Sequence, residues 1–180
     1  EVPRNSDCEY PYRHDSYFYY LSGFTEPDSA VALVAATATA PARAILFCRA
    51  KNTEREIWDG FRHAPEAART SFGFDSAFPI EELDVEMTRL LVDAPAIYYA
   101  LGSGLEAQGK EWRNDVRQKE RSGVKAPAIA NDINGMLAAM RVLQDSEQQQ
   151  LMRRAAAIAS AAHVRAMRAM RPGMHEYALE

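Results

Sequence analysis

The sequence predicts an α/β fold. Two apolar segments of strand length, residues 30–36 and 44–49, lie in the first third of the chain. Further on, residues 79–93 place apolar side chains on one helical face, and the aliphatic and aromatic residues 96–101 follow. A helix that leads directly into a strand is typical of an α/β unit, so these segments favour helices packed on a sheet.

The first half of the chain reads mainly as strands. The aromatic residues 18–21 predict a strand, and residues 30–36 predict a second one, buried on both faces because its residues do not alternate. Residues 44–49 predict a third strand, and Glu56, Ile57 and Trp58 a short fourth. Turn residues separate these segments, which indicates hairpin connections.

The second half reads mainly as helices. Beyond the helix over residues 79–93, the charged residues 106–121 predict a surface helix and residues 131–143 predict another. Ser146 followed by Gln149 has the spacing of a capping box and predicts the start of a long last helix. Arg171, Pro172 and Gly173 end it, and the remaining residues resemble the first turns of one more helix.

We expect a domain over residues 1–143 and the start of a second over residues 144–180. The chain opens on an irregular polar stretch and ends within a predicted helix, and one helical turn is not stable alone. We therefore expect the chain to be a fragment.

Composition excludes several classes of function. The net charge of −4 argues against a nucleic-acid partner, because such surfaces are usually basic. No apolar run reaches the roughly 18 to 20 residues of a membrane span. Cys8 and Cys48 could form one disulfide, but nothing in their spacing demands it, which favours reduced thiols and a cytoplasmic location. The histidines lie far apart and no catalytic constellation is visible, so the residues alone predict no enzyme.

Four stretches, in order, closely resemble the aminopeptidase P family. They are "DCEYPYRHDSYFYYLSGFTEPDSAVALV", "LFCRAKNTEREIW", "RSGVKAP" and the last 43 residues, from "AAMRVLQDSEQQQ" to "RPGMHEYALE". The resemblance implies an N-terminal domain of the creatinase and aminopeptidase P type, with a mixed β-sheet flanked by helices. It also implies that the first helix of a pita-bread domain follows.

The resemblance implies a chemistry that lies outside this chain. The family uses two metal ions, usually manganese, to remove the first residue of peptides whose second residue is proline. Two metals that share a water generate the nucleophile and stabilise the transition state. By their order along the chain, the ligands would follow residue 180. We therefore assign no catalytic or metal-ligating residue here, and expect the fragment to be inactive.

The resemblance implies roles for three residues at the substrate cleft. Asp7 matches an acidic residue near the cleft, Arg121 matches an arginine in the same neighbourhood, and Trp58 matches a tryptophan presented by a neighbouring subunit. The implied assembly is a homo-oligomer, a dimer or a tetramer. Some positions depart from the family pattern, among them Tyr17 and Asp59.

Alternative interpretations stay open. Asp7 also suits a turn or cap, Arg121 the charged end of a helix, and Trp58 the core or an ordinary interface. A prolidase, which accepts only dipeptides, shares the two-domain plan. A relative without metal ligands would be a non-enzymatic binding module.

Overall fold

The computed structural model describes residues 10–179. Its helices are α1 (Ser16–Ser22), α2 (Thr53–Asp59), α3 (Ala64–Phe72), α4 (Leu83–Leu90), α5 (Leu105–Gln118), α6 (Asn134–Val142) and α7 (Ser146–Ala169). Its strands are β1 (Ala30–Val34), β2 (Arg43–Cys48), β3 (Ser76–Pro79), β4 (Ala96–Tyr99) and β5 (Ile129–Asp132). Short 3-10 helices cover Ile80–Glu82, Glu120–Ser122 and Glu176–Leu179. The chain divides into two compact units, one up to Asn134 and one from Gly135 onward.

The first unit carries a mixed three-stranded sheet in the order β1-β2-β3. Strand β1 runs antiparallel to β2, with Ala32 opposite Ile45. Strand β3 runs parallel to β2, with Leu46 opposite Ala77, so the chain must cross over between them. Helices α2 and α3 lie in that crossover. The predicted α/β class with a mixed sheet and flanking helices is confirmed.

A second sheet in the same unit pairs β4 and β5 in parallel, with Ile97 opposite Ala130. Helix α5 lies in the connection between them. One apolar cluster joins Leu91, Ile97, Trp112 and Val116 around this sheet. The indole Nε1 of the buried Trp112 donates to the Asp84 carboxylate at 2.6 Å, so the polar atom of this large side chain is satisfied.

The other apolar cluster lies against the three-stranded sheet. Its buried members are Phe24, Leu46, Cys48, Ala68 and Phe74. They come from β2, from α3 and from the turns beside these elements. The end of β2 is therefore the best-buried strand segment of the first unit. The residues that follow it thus begin at a well-packed position.

Several predicted elements are confirmed. Strands β1, β2 and β4 and helices α4, α5 and α7 lie where the periodicity placed them. The expectation that β1 is buried on both faces is wrong, since Leu33 is 55% exposed. Strand β1 is at the edge of its sheet, and an apolar run alone does not distinguish an edge strand from a central one.

The strand predicted over residues 18–21 is wrong, because these residues belong to helix α1. The Asp15 carboxylate accepts hydrogen bonds from the backbone N–H groups of Tyr17 and Phe18, which caps the helix. Gly23, with φ 64°, ends it in the left-handed conformation that favours glycine. The two caps outweigh the strand preference of the aromatic side chains. Tyr19 is exposed, so the aromatic segment is not a core strand.

The short strand predicted at Glu56, Ile57 and Trp58 is also wrong. These residues lie in helix α2, and the side-chain oxygen of Asn52 accepts from the Arg55 N–H at its start. Glu54 and Glu56 stand in the first turn, where a negative charge stabilises the helix dipole.

Helix α3 and strands β3 and β5 were not predicted. Both strands have four residues, β3 ends on a proline, and β5 reads "IAND", so neither carries a clear alternation. The helix predicted from residue 131 therefore begins later, at Asn134. Short parallel strands are specified by their neighbours in the sheet rather than by a local pattern.

The N-cap of the last long helix, α7, lies one residue before the predicted one. Asp145, not Ser146, is the N-cap, and its carboxylate accepts from the Gln148 N–H. The Gln148 side chain accepts from the Asp145 N–H in return, which completes a capping box. The Gln149 amide instead donates to the Gln144 carbonyl.

Candidate functional site

An exposed apolar surface lies on helix α2 and the turn after it. Ile57 is 78% exposed, Trp58 83% and Phe61 66%, and no residue of α2 is buried. Three large apolar side chains exposed to water within five residues indicate an interaction surface rather than a solvated helix. We call residues 53–62 the arm.

Hydrogen bonds hold the two ends of the arm together. The Glu56 carboxylate Oε1 accepts from Lys51 Nζ at 2.6 Å and from the Arg62 N–H at 2.7 Å. Lys51 Nζ also donates to the Arg62 carbonyl at 3.1 Å. The hydrogen bond from Lys51, followed by that from the Arg62 backbone, lowers the pKa of Glu56. The carboxylate is therefore the stable form of Glu56 in this arrangement.

Two further contacts stiffen the end of the arm. The Arg62 guanidinium pairs with Asp59 at 2.7 Å. Lys51 Nζ lies 4.5 Å from the centre of the Phe61 ring, within the range of a cation–π contact. Lys51 therefore contacts the arm at both a charged and an aromatic side chain.

A buried carboxylate connects the end of the arm to the domain. Glu26 is 8% exposed, and its Oε1 accepts from the His63 N–H at 2.8 Å and contacts His63 Nδ1 at 2.6 Å. The His63 ring makes edge contacts with Phe24, Phe61 and Phe72. His63 directly precedes α3, so Glu26 fixes the point where the arm rejoins the body of the domain.

The second oxygen of Glu26 faces a buried arginine. Arg49 is 8% exposed, and its guanidinium lies 4.0 Å from Glu26 Oε2. Neither Glu26 Oε2 nor Arg49 Nε makes a hydrogen bond. The neighbouring thiol of Cys48 has its pKa raised to about 11, first by burial and then by the negative charge of Glu26. The thiol is therefore neutral and unreactive near neutral pH.

An open pocket of about 420 Å³ lies between the arm and the body of the domain. Its walls come from both, with Arg55 and Asp59 on the arm and Asp28, Arg49, Ile80 and Glu81 on the body. The inner side of α2 therefore faces this space rather than a packed core.

Of the three predicted cleft residues, two lie among the described residues. Trp58 lies on α2, and Arg121 lies exposed in the 3-10 helix Glu120–Ser122. Asp7 lies outside the described residues. Over residues 10–179, the hydrogen bonds, ion pairs and ring contacts do not connect Trp58 with Arg121.

The residues implied for metal binding were expected beyond residue 180. Among the described residues, no group of three or more His, Cys, Asp or Glu could hold a metal ion. The donor set in this part of the chain therefore does not fit the two-metal centre implied by the resemblance. None of the helices that the structure describes has both the length and the hydropathy of a membrane span.

Sequence reasoning missed the polar groups that fix the arm. Glu26 and Lys51 appeared within the family stretches, and Arg49 and Glu56 were assigned to predicted strands. The contact of Glu26 with His63 joins residues 37 positions apart, so no local pattern could indicate it. The sequence offered one signal for such a role. Glu26 precedes Pro27 at a turn, where a neutral residue would be sufficient.

The mixed sheet, its crossover and the flanking helices define an α/β domain. Residues 1–98 match the family profile described as "Aminopeptidase P, N-terminal domain", and the chain belongs to this family. The family expected from the four sequence stretches is confirmed.

Relatives match along the whole chain. It is 35% identical over 182 residues to the Xaa-Pro aminopeptidase of Escherichia coli, covering 100% of this chain and 41% of that protein. It is 32% identical to the Xaa-Pro aminopeptidase of Haemophilus influenzae, of which it covers 39%. The chain thus spans about two fifths of the length of these relatives.

Solved structures give the same result. Zinc-substituted aminopeptidase P from E. coli, in complex with product, superposes with a TM-score of 0.92 at 34% identity. The match covers 99% of this chain and 41% of that one. At this identity the likeness extends beyond the general fold to the sequence.

Proposed function

We propose that this chain is the N-terminal part of a metal-dependent Xaa-Pro aminopeptidase, which removes the residue before a proline at position two. In this proposal the chain supplies no catalytic group. It packs subunits together and narrows the entrance to the active site. Residues 1–143 form the N-terminal domain, and residues 144–180 lead into the catalytic domain. Similarity to two peptidases along the whole chain carries this proposal.

The exposed arm supports the packing role. A tryptophan that is 83% exposed adds little to the stability of its own domain. The same side chain would add much binding free energy if a partner buried it. We infer that Trp58 reaches the cleft of a neighbouring subunit, where its rigid ring would lie against the substrate proline. Asp7 and Arg121 would stand near the same cleft as an acidic and basic pair. A dimer or tetramer, manganese at the metal centre and a cytoplasmic location stay predictions.

A peptide assay on the full-length protein tests the activity. With manganese, it should release the first residue of an X-Pro-Pro tripeptide, and a chelator should abolish the release. Cleavage of an X-Pro dipeptide with no action on the tripeptide would favour the prolidase alternative. No cleavage of either, alongside an active E. coli control, would contradict the proposed function and favour a binding module.

A further inference from the structure

The arm has little apolar packing with which to fix its position. No residue of α2 is buried, and a pocket of about 420 Å³ lies under it. A helix of seven residues is not stable by itself in water, because nucleation is unfavourable. The polar contacts at its base must therefore decide where the arm lies.

Glu56 is at the centre of these contacts. Lys51 precedes the arm and Arg62 ends it, and Glu56 Oε1 accepts hydrogen bonds from both. The Glu56 side chain is only 16% exposed, whereas that of Lys51 is 49% exposed. A carboxylate that is largely shielded and bonded to a charged donor holds more firmly than an exposed pair.

Helix geometry connects this contact to Trp58. Successive residues of an α-helix are rotated by about 100°, so Trp58 lies about 200° around the helix from Glu56. With Glu56 directed at Lys51 and Arg62, Trp58 is on the opposite side, in agreement with its exposure. The contact of one side chain thus fixes the direction of the other.

We propose that Glu56 is a positioning residue, which joins the two ends of the arm through Lys51, just before it, and Arg62, its last residue, and thereby sets the orientation of Trp58. The inference about the arm stands on the contacts described above. Its consequence for catalysis rests on the proposed function, in which Trp58 reaches a neighbouring cleft. Two readouts therefore separate the two statements.

Hydrogen exchange tests the fastening. In the full-length protein, Glu56→Ala should speed exchange of the amides of residues 53–62 by about tenfold, the size expected for loss of a charge-assisted hydrogen bond. The urea midpoint should not change, because the arm adds little to the core. Glu56→Gln keeps an acceptor oxygen and should restore part of the protection. Unchanged exchange of the arm in Glu56→Ala would overturn the inference.

A matched control comes from the neighbouring helix. Glu66 and Arg69 on α3 form an ion pair at 2.7 Å, close to the length of the Lys51–Glu56 pair. Glu66→Ala removes a carboxylate of the same kind with no contact to the arm. It should leave exchange of residues 53–62 as it is in the wild type. Equal acceleration by both variants would mean a general loosening of the domain and would overturn the inference.

Peptidase kinetics test the positioning. Glu56→Ala should lower kcat/KM for the tripeptide in the same direction as Trp58→Ala, and the double variant should be no worse than Trp58→Ala alone. Losses that multiply in the double variant would show independent roles and overturn the positioning role. If Trp58→Ala itself has no effect on kcat/KM, the proposed role of Trp58 fails, while the exchange result still decides the fastening.

Discussion

Glu26 shows how one buried side chain can join segments that are distant in sequence. Its carboxylate contacts the N–H and the ring of His63 before α3, and it faces Arg49 at the end of β2. A buried carboxylate without these partners would cost several kcal/mol of desolvation. We therefore assign Glu26 to the structural support of the arm.

Glu26→Gln should destabilise the domain by about 2 kcal/mol, since it removes the charge that compensates Arg49 and weakens the bonds to His63. The change is read from urea unfolding followed by circular dichroism. Glu81→Gln, at an exposed carboxylate beside the same pocket, should change stability by less than about 0.5 kcal/mol. Equal effects of the two variants would contradict the role given to Glu26.

Cys48 supplies a test in alkaline solution. Its folded pKa is raised from 9.0 to about 11, so unfolding releases a proton between these values. Stability from the neutral thiol is therefore fully present below pH 9 and is lost as the pH rises towards 11. Over this pH range, the free energy of unfolding measured in urea should fall by about 2 kcal/mol more in the wild type than in Cys48→Ala, which has no thiol to titrate. Parallel pH profiles of the two proteins would count against the raised pKa.

At the scale of elements, α5 depends on a close approach to β4. A Cβ added at Gly109 would lie 2.9 Å from a ring carbon of Tyr99, closer than real Cβ contacts. Tyr99 packs against the cluster around Trp112, so its ring has little room to move aside. The glycine is therefore required by packing, although alanine is the better helix former.

Gly109→Ala should cost about 1–3 kcal/mol despite its gain in helix propensity, as overpacking does elsewhere. Gly135→Ala, a glycine of α6 with open space at its Cβ, should instead be neutral or stabilising by up to about 1 kcal/mol. Urea unfolding measures both. The double variant Gly109→Ala/Tyr99→Leu, which removes the aromatic ring, should recover part of the lost stability. Stabilisation by Gly109→Ala alone would contradict the close approach.

The elements also show how far sequence reasoning reaches. Long periodic helices such as α7 and apolar strands such as β2 were predictable, because their pattern is local. Helices α1 and α2 were not, because the caps at Asp15 and Asn52 outweighed aromatic and β-branched preferences. Strands β3 and β5 depend on neighbours in their sheets. The support of the arm was also out of reach, because it joins Glu26 to a histidine far along the chain.

Taken as a whole, the chain matches about two fifths of the length of peptidases of the same family. Its most exposed tryptophan stands on an arm that polar contacts hold in place. In the proposed function, this arm acts in the active site of another subunit. If it does not, the family and the fold are unchanged.

Mixed oligomers test that claim most directly. We would co-express full-length Trp58→Ala subunits, which keep their metal site, with subunits that keep Trp58 but lack one catalytic-domain metal ligand. Trp58→Ala alone should lower kcat/KM for the tripeptide by about tenfold or more. In the hybrid, each intact active site should regain most of the wild-type kcat/KM, because the neighbouring subunit supplies Trp58 although it is itself inactive. A hybrid no more active than Trp58→Ala alone would contradict the account.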